Sequence, residues 1–183
     1  MIATNPTAEA PNRAYYRACE GRWSAPLELT ITDWRAFRTS GLGLADRWRI
    51  LSMVLAARIV GPCRLETSVD ATTGAARQEV VHTTRIAKWG LTLMRSTEWL
   101  TLDPNGRDVA MRGELRLVPA LWRTRPMPAV PARVDETASR ASYRFAWLGT
   151  EMRQEAERSP DGTTVTLTQL TPFSRGVQIL RRR

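Results

Sequence analysis

Residues 98–117 read EWLTLDPNGRDVAMRGELRL, and this stretch decides the fold class. Its centre, Asp103–Gly106, is a tight-turn sequence, because proline fixes φ at an early turn position and Asn-Gly accepts positive φ. On both sides of the turn apolar residues recur at every second position, which is the period of a β-strand. Similar alternating runs, separated by turn residues, continue from Cys63 to the last residue. The pattern predicts a meandering antiparallel sheet.

The same alternation places the other strands of the sheet. It predicts nine strands, at residues 23–31, 64–70, 76–87, 91–102, 107–118, 137–148, 150–158, 163–171 and 175–182. Residues 119–131 are rich in proline, so we expect a connection there that is longer than a hairpin needs. Long connections in compact domains often act as lids or binding loops.

A meander of this length leaves two exposed edges unless the sheet closes on itself. The predicted fold class is therefore all-β: an antiparallel up-and-down barrel of about eight to ten strands, whose interior can hold one small ligand. A helix is inserted near residues 44–60. We expect residues 1–11 to be a flexible leader and residues 12–183 to form a single barrel domain, since this length suits one core.

Residues 44–60 carry the long helical pattern of the chain, closed by Gly61-Pro62. One of its faces is apolar and contains Trp48, Leu51, Leu55 and Ile59. The helix is too short and too rich in arginine to span a membrane. We expect its apolar face to pack over a mouth of the barrel and to gate ligand access, rather than to rest on a membrane surface.

Gly21-Arg22-Trp23 starts the first strand, just after a short helix that we expect Asn12 to cap. This sequence resembles the Gly-x-Trp signature of lipocalins and related calycin barrels. The resemblance covers the architecture of residues 15–183 and implies a lipocalin-like barrel whose closed end is crossed by the tryptophan. The long helix between the first two strands departs from the usual lipocalin arrangement. Haem-binding barrels of the nitrobindin type also begin this way, but they need a histidine near the C-terminal strands, and His82 lies on an early strand.

The net charge of +9 does not indicate nucleic-acid binding. Over residues 107–116 and 151–158 the arginines alternate with acidic residues instead of forming a basic stripe with aromatic residues between them. All basic residues except Lys88 are arginine. This bias is typical of a GC-rich genome and indicates a bacterial source.

Residues 1–14 lack the basic start and apolar centre of a secretory signal, so we expect no export. Cys19 and Cys63 are far apart and have no metal-binding spacing, which favours reduced thiols in the cytoplasm. With one histidine and no HExxH or CxxC motif, the sequence predicts neither a metal nor another cofactor. It leaves the oligomeric state open.

The candidate catalytic residues are His82, Glu98 and Tyr143. His82 and Tyr143 each share a strand face with apolar residues, so both are expected to line the interior, where an imidazole can exchange a proton near neutral pH. Strand 91–102 allows two phases. One turns Arg95 and Trp99 inward, which would place an anion anchor in the cavity, and the other turns Glu98 inward. The candidate ligand-binding residues are Arg95, Trp99, Met111, Trp122, Phe145 and Trp147.

These features predict a barrel that encloses a hydrophobic small molecule. Two roles stay open at this point. One is a cofactor-independent cyclase or isomerase of bacterial secondary metabolism, acting on a polyketide or terpenoid; shaping the substrate and excluding water would then supply much of the rate. The other is a non-catalytic carrier or sensor of a fatty-acid-like ligand.

Overall fold

The computed structural model describes residues 9–28, 30–71, 77–104, 106–117, 124–147 and 150–183. Its helices and strands, in chain order, are α1 (Pro11–Cys19), β1 (Gly21–Leu27), α2 (Trp34–Thr39), α3 (Leu44–Val60), β2 (Cys63–Ala71), β3 (Arg77–Ile86), β4 (Thr92–Leu102), β5 (Asp108–Leu117), β6 (Thr124–Val134), β7 (Arg140–Trp147), β8 (Thr150–Arg158), β9 (Thr164–Thr171) and β10 (Ser174–Arg182). Within these residues ten strands form one closed barrel, and each strand pairs with its neighbours in the chain. The predicted antiparallel up-and-down barrel is confirmed.

Closure of the barrel depends on β1, which lies between β2 and β10 in the sheet. Along its whole length, Gly21–Leu27, β1 pairs with β2. On its other side β1 meets β10, with Trp23 opposite Arg182 and Ser24 opposite Arg181. The first strand therefore joins the two ends of the meander, as a closed sheet requires.

Residues 124–131 of the proline-rich stretch belong to a strand, where the sequence predicted a connection, and residues 119–123 lie outside the described residues. β6 contains Pro126, Pro128 and Pro131 and pairs with β5 along most of its length. It meets β7 only over Ala132–Val134. Proline cannot donate a ladder hydrogen bond, and among the described residues β6 pairs with β7 only after its last proline, Pro131. Trp122, expected in a loop that closes over the ligand, lies outside the described residues.

Helix α1 covers one end of the barrel. Asn12 does not cap the helix as expected; Ala10 holds the N-cap position. Instead the buried Asn12 side chain donates from Nδ2 to the carbonyl oxygens of Asp103 (2.8 Å) and Asp108 (3.0 Å). The Trp23 ring is buried beneath the helix and donates from Nε1 to the Cys19 carbonyl at 2.8 Å. These bonds attach α1 to the β4–β5 hairpin and to β1.

Helices α2 and α3 lie at the opposite end. Asp33 caps α2 by accepting from the Ala36 amide at 2.8 Å. Phe37 then packs edge-on against Phe173 of the β9–β10 turn, with ring centres 5.2 Å apart. No helix in the described ranges has the length and apolar character needed to cross a membrane.

The expected packing face of α3 is wrong. The helix buries Ile50, Met53 and Val54, whereas Trp48 is 69% exposed and Ile59 74% exposed. The helix is apolar on opposite sides, so periodicity could not choose between its faces. Of the predicted face, Trp48, Leu55 and Ile59 are exposed, and Leu51 packs partly against the core.

Candidate functional site

Strand β4 adopts the phase that turns Glu98 into the barrel. Ser96, Glu98 and Leu100 are buried and alternate with more exposed neighbours. Arg95 is on the outer face of the barrel, opposite Arg116 of β5. Trp99 is on the same outer face, and the centre of its ring lies 6.0 Å from the Arg112 guanidinium. The placement of Arg95 and Trp99 among cavity residues is therefore wrong. A carboxyl group tolerates burial better than a guanidinium does, because it can become neutral by binding a proton.

The barrel interior contains two adjoining chambers. The upper chamber, at the end near α2, has a volume of about 140 Å³, and the lower chamber, against α1, about 50 Å³. Both are lined by His82, Glu98 and Gln154, which therefore form a polar belt where the chambers meet. The apolar walls of the upper chamber are formed mainly by Leu65, Met94, Leu115, Met127, Phe145 and Met152.

Glu98 and His82 are the titratable pair of this polar belt. His82 Nε2 lies 3.7 Å from Glu98 Oε1, and its other ring nitrogen, Nδ1, is 2.9 Å from the Thr67 hydroxyl. Burial raises the pKa of Glu98 above its ordinary value, and His82 and a hydrogen bond from Ser96 offset part of that rise. Glu98 is thus suited to give a proton inside the cavity.

Two tyrosine hydroxyls meet in the lower chamber. Tyr143 from β7 and Tyr16 from α1 are hydrogen-bonded to each other through their hydroxyls. Burial raises the pKa of both phenols, so both stay protonated. In such a pair one hydroxyl donates to the other, which leaves the second proton free for another acceptor. Burial also raises the pKa of the neighbouring Cys19 thiol to about 11, so it is not a ready nucleophile.

The upper chamber also contains polar groups that lack partners within the described part of the chain. Thr84 Oγ1 and Gln178 Oε1 are buried and unbonded. Gln178 lies against Gly176, where a Cβ would come 2.6 Å from the Gln178 Nε2 atom. By contrast, Gln154 accepts a hydrogen bond from Gln169 at 3.0 Å. Both residues line the chamber, although the two atoms themselves are covered by neighbouring groups. A small shift of either side chain would let a bound molecule or water supply the missing hydrogen bond.

The remaining predicted site residues have mixed placements. Phe145 lines the upper chamber. Met111 is buried opposite Leu100, nearer the α1 end, and belongs to the packed core instead of the chamber walls. Trp147 lies in β7, but its side chain, like Trp122 as a whole, is outside what the structure describes.

Several lining residues were not predicted. The alternation of β8 carries a signal for Gln154, which shares its strand phase with Met152 and Ala156. The alternation of β10 gives none for Gln178, because the apolar Val177 and Ile179 hold the opposite phase and are exposed. No local feature of the sequence predicts that Tyr16 reaches the barrel interior, since its position depends on how α1 docks.

The described residues hold no group of three side chains that could bind a metal ion. The chamber linings include one arginine, Arg175, exposed at the rim.

The described residues form a closed ten-strand antiparallel meander with Trp23 packed beneath α1. No protein-family model matches the sequence, and no curated protein matches it. Among solved structures, the chain is similar to a mutant of the fluorescent protein UnaG, with 12% sequence identity and a TM-score of 0.47; the match covers 91% of this chain and 97% of that chain.

Proposed function

We propose that this protein binds a small, mainly apolar molecule inside its barrel and holds a polar group of that molecule against the belt of Glu98, His82 and Gln154. The observation that carries the proposal is that two residues lining the upper chamber, Thr84 and Gln178, each hold a buried polar atom with no hydrogen-bond partner among the described residues. An unmade hydrogen bond of this kind costs about 1–3 kcal/mol. A ligand with a hydroxyl or amide group would recover that cost while its apolar part contacts the surrounding methionines and Phe145.

The size and charge of the chamber favour a compact, neutral ligand. Its volume of about 140 Å³ is close to that of a cavity of about 150 Å³ that holds benzene. A compact terpenoid or polyketide intermediate from bacterial secondary metabolism suits this space better than a long acyl chain. A fatty-acid-like ligand would also need a cation for its carboxylate, and the arginine of the lining, Arg175, stands at the rim. The carrier of a fatty-acid-like molecule is therefore the less well supported alternative.

The polar belt also supports cofactor-independent isomerase or cyclase chemistry. In an isomerisation, His82 Nε2 would take a proton from a carbon next to a carbonyl or alkene, while the Glu98 carboxyl gives its proton to the far end of the conjugated system. One C–H bond breaks and another forms, so the product is an isomer. The proton on His82 Nε2 then passes to the Glu98 carboxylate, 3.7 Å away, which restores both groups without a co-reactant. The partly closed chamber would keep water from the intermediate.

Native mass spectrometry of the protein purified from its own host tests the binding proposal. We expect the unmodified protein to retain a small molecule. The Gln178→Leu variant should lose that molecule, whereas Glu114→Gln, a change on the outer face of β5, should keep it. Incubation of the released molecule with fresh protein then separates the roles: conversion to an isomer that Glu98→Gln abolishes indicates an enzyme, and unchanged return indicates a carrier. If no molecule is retained and indole, used as a probe, does not raise the melting temperature, ligand binding in the barrel is refuted.

A further inference from the structure

The exposed apolar residues of α3 form one continuous stripe. Leu44 and Trp48 are 77% and 69% exposed, and Leu55 and Ile59 are also exposed. At 100° per residue these four positions fall within about 60° of each other around the helix axis. They lie opposite the buried face of Ile50, Met53 and Val54. A monomeric soluble protein rarely leaves so long an apolar stripe uncovered.

A second exposed tryptophan lies beside the end of this stripe. Trp89, in the β3–β4 turn, is 68% exposed. This turn is attached to the segment that follows α3, because the Ala87 amide donates to the Pro62 carbonyl at 3.0 Å. The apolar surface therefore extends from α3 onto the neighbouring turn of the same barrel end.

The surroundings of this surface are basic. Residues 31–62, which contain α2 and α3, carry five arginines and two aspartates. One of these aspartates, Asp46, is buried and bound to Arg49 at 2.6 Å, which removes it from the surface. Arg35, Arg38 and Arg58 are exposed, as is Lys88 in the turn next to Trp89.

We propose that this stripe, together with Trp89, docks on an anionic lipid bilayer. Tryptophan and leucine side chains enter the headgroup region, and flanking cations are attracted to acidic lipids. A second copy of the chain would bring the same arginines against each other, in a protein whose net charge is already +9. The charge pattern thus favours a lipid surface over self-association. The proposal concerns the outside of the barrel and is independent of what the chambers bind.

Vesicle binding measured by flotation tests the proposal. Unmodified protein should bind vesicles of equimolar phosphatidylglycerol and phosphatidylcholine, bind pure phosphatidylcholine weakly, and lose binding as salt rises. Trp48→Ser should weaken partitioning about tenfold, because one aromatic side chain no longer enters the headgroup region. Arg58→Gln with Lys88→Gln should weaken binding to the anionic vesicles alone.

Ile179→Glu is the matched control, because Ile179 is 53% exposed on the outer wall of β10, away from the helices. It should bind vesicles as the unmodified protein does. Equal binding by Trp48→Ser, Leu55→Glu and the unmodified protein would overturn the proposal. Sedimentation showing a dimer that Leu55→Glu dissociates, with no vesicle binding, would overturn it in favour of a second copy.

Discussion

At the scale of single residues, Glu98 is an acidic side chain buried inside the barrel. Its carboxyl lies between two apolar chambers, and burial raises its pKa from the ordinary value of 4.5. A carboxyl whose pKa is raised by folding stabilises the folded state fully below its unfolded pKa. That contribution is lost as the pH rises through the pKa of the folded state, because the unfolded chain then releases its proton more readily.

We therefore expect Glu98→Gln to change how stability depends on pH. As the pH rises from about 4 to about 8, the melting temperature of the unmodified protein should fall relative to that of the variant. Scanning calorimetry of both proteins measures this difference. Glu114→Gln serves as the control, since Glu114 is on the outer face near Arg116, and its curve should follow that of the unmodified protein. Parallel curves for the unmodified protein and Glu98→Gln would show that Glu98 does not titrate differently on folding.

The Tyr16–Tyr143 pair should behave as a unit. Tyr16→Phe leaves the buried Tyr143 hydroxyl without its partner, at a cost of about 1–3 kcal/mol of unfolding free energy. Tyr143→Phe should cost a similar amount. The double variant should cost less than the sum of the two, because no buried hydroxyl is then left unpaired. Urea unfolding of the four proteins gives the coupling energy, and strictly additive costs would contradict the pairing.

At the scale of elements, α3 has two apolar faces with different roles. Met53 is buried and Leu55, two residues further on, is mostly exposed. Met53→Ala should lower the unfolding free energy by about 2–5 kcal/mol, as truncation of a core residue does. Leu55→Ala should change it by no more than about 0.5 kcal/mol, as at a surface position. Chemical denaturation checks both values, and a larger effect for Leu55→Ala would mean that the exposed face packs against the barrel in solution.

At the scale of the whole molecule, closure of the barrel depends on a short seam between β1 and β10. Arg182 reinforces that seam: its Nη2 donates to the Glu20 carbonyl at 2.6 Å, and its guanidinium lies 5.1 Å from the centre of the Trp23 ring. Arg182→Gln should therefore speed amide hydrogen exchange in β1 and β10 while exchange in β4 and β5 stays slow.

Mass spectrometry after deuterium labelling resolves these strands. Arg181→Gln, at the neighbouring exposed position, is the control and should leave exchange in β1 unchanged. Uniformly faster exchange throughout the barrel of Arg182→Gln would show that the seam does not open by itself.

The sequence by itself determined the elements whose signals are local. The Asp103–Gly106 turn with its alternating flanks predicted the β4–β5 hairpin, and the strand count predicted a closed sheet, because a long meander must cover its edges. Alternation also gave two possible phases for β4, and the structure adopts the one that turns Glu98 inward. Alternation could not predict β6, because the prolines of this strand indicate a loop. Its pairing with β5, and its short pairing with β7, are seen only in the structure.

The tertiary structure alone decided how the elements face one another. Periodicity shows that α3 is apolar over most of its circumference, but only its packing against the rest of the chain determines that Met53 is buried and Trp48 exposed. Likewise, Tyr16 reaches Tyr143 because α1 docks on the barrel end, a contact between residues 127 positions apart. Local sequence fixes backbone period and turns, whereas the site is assembled from strand phases and helix rotations that are set by packing between distant parts of the chain.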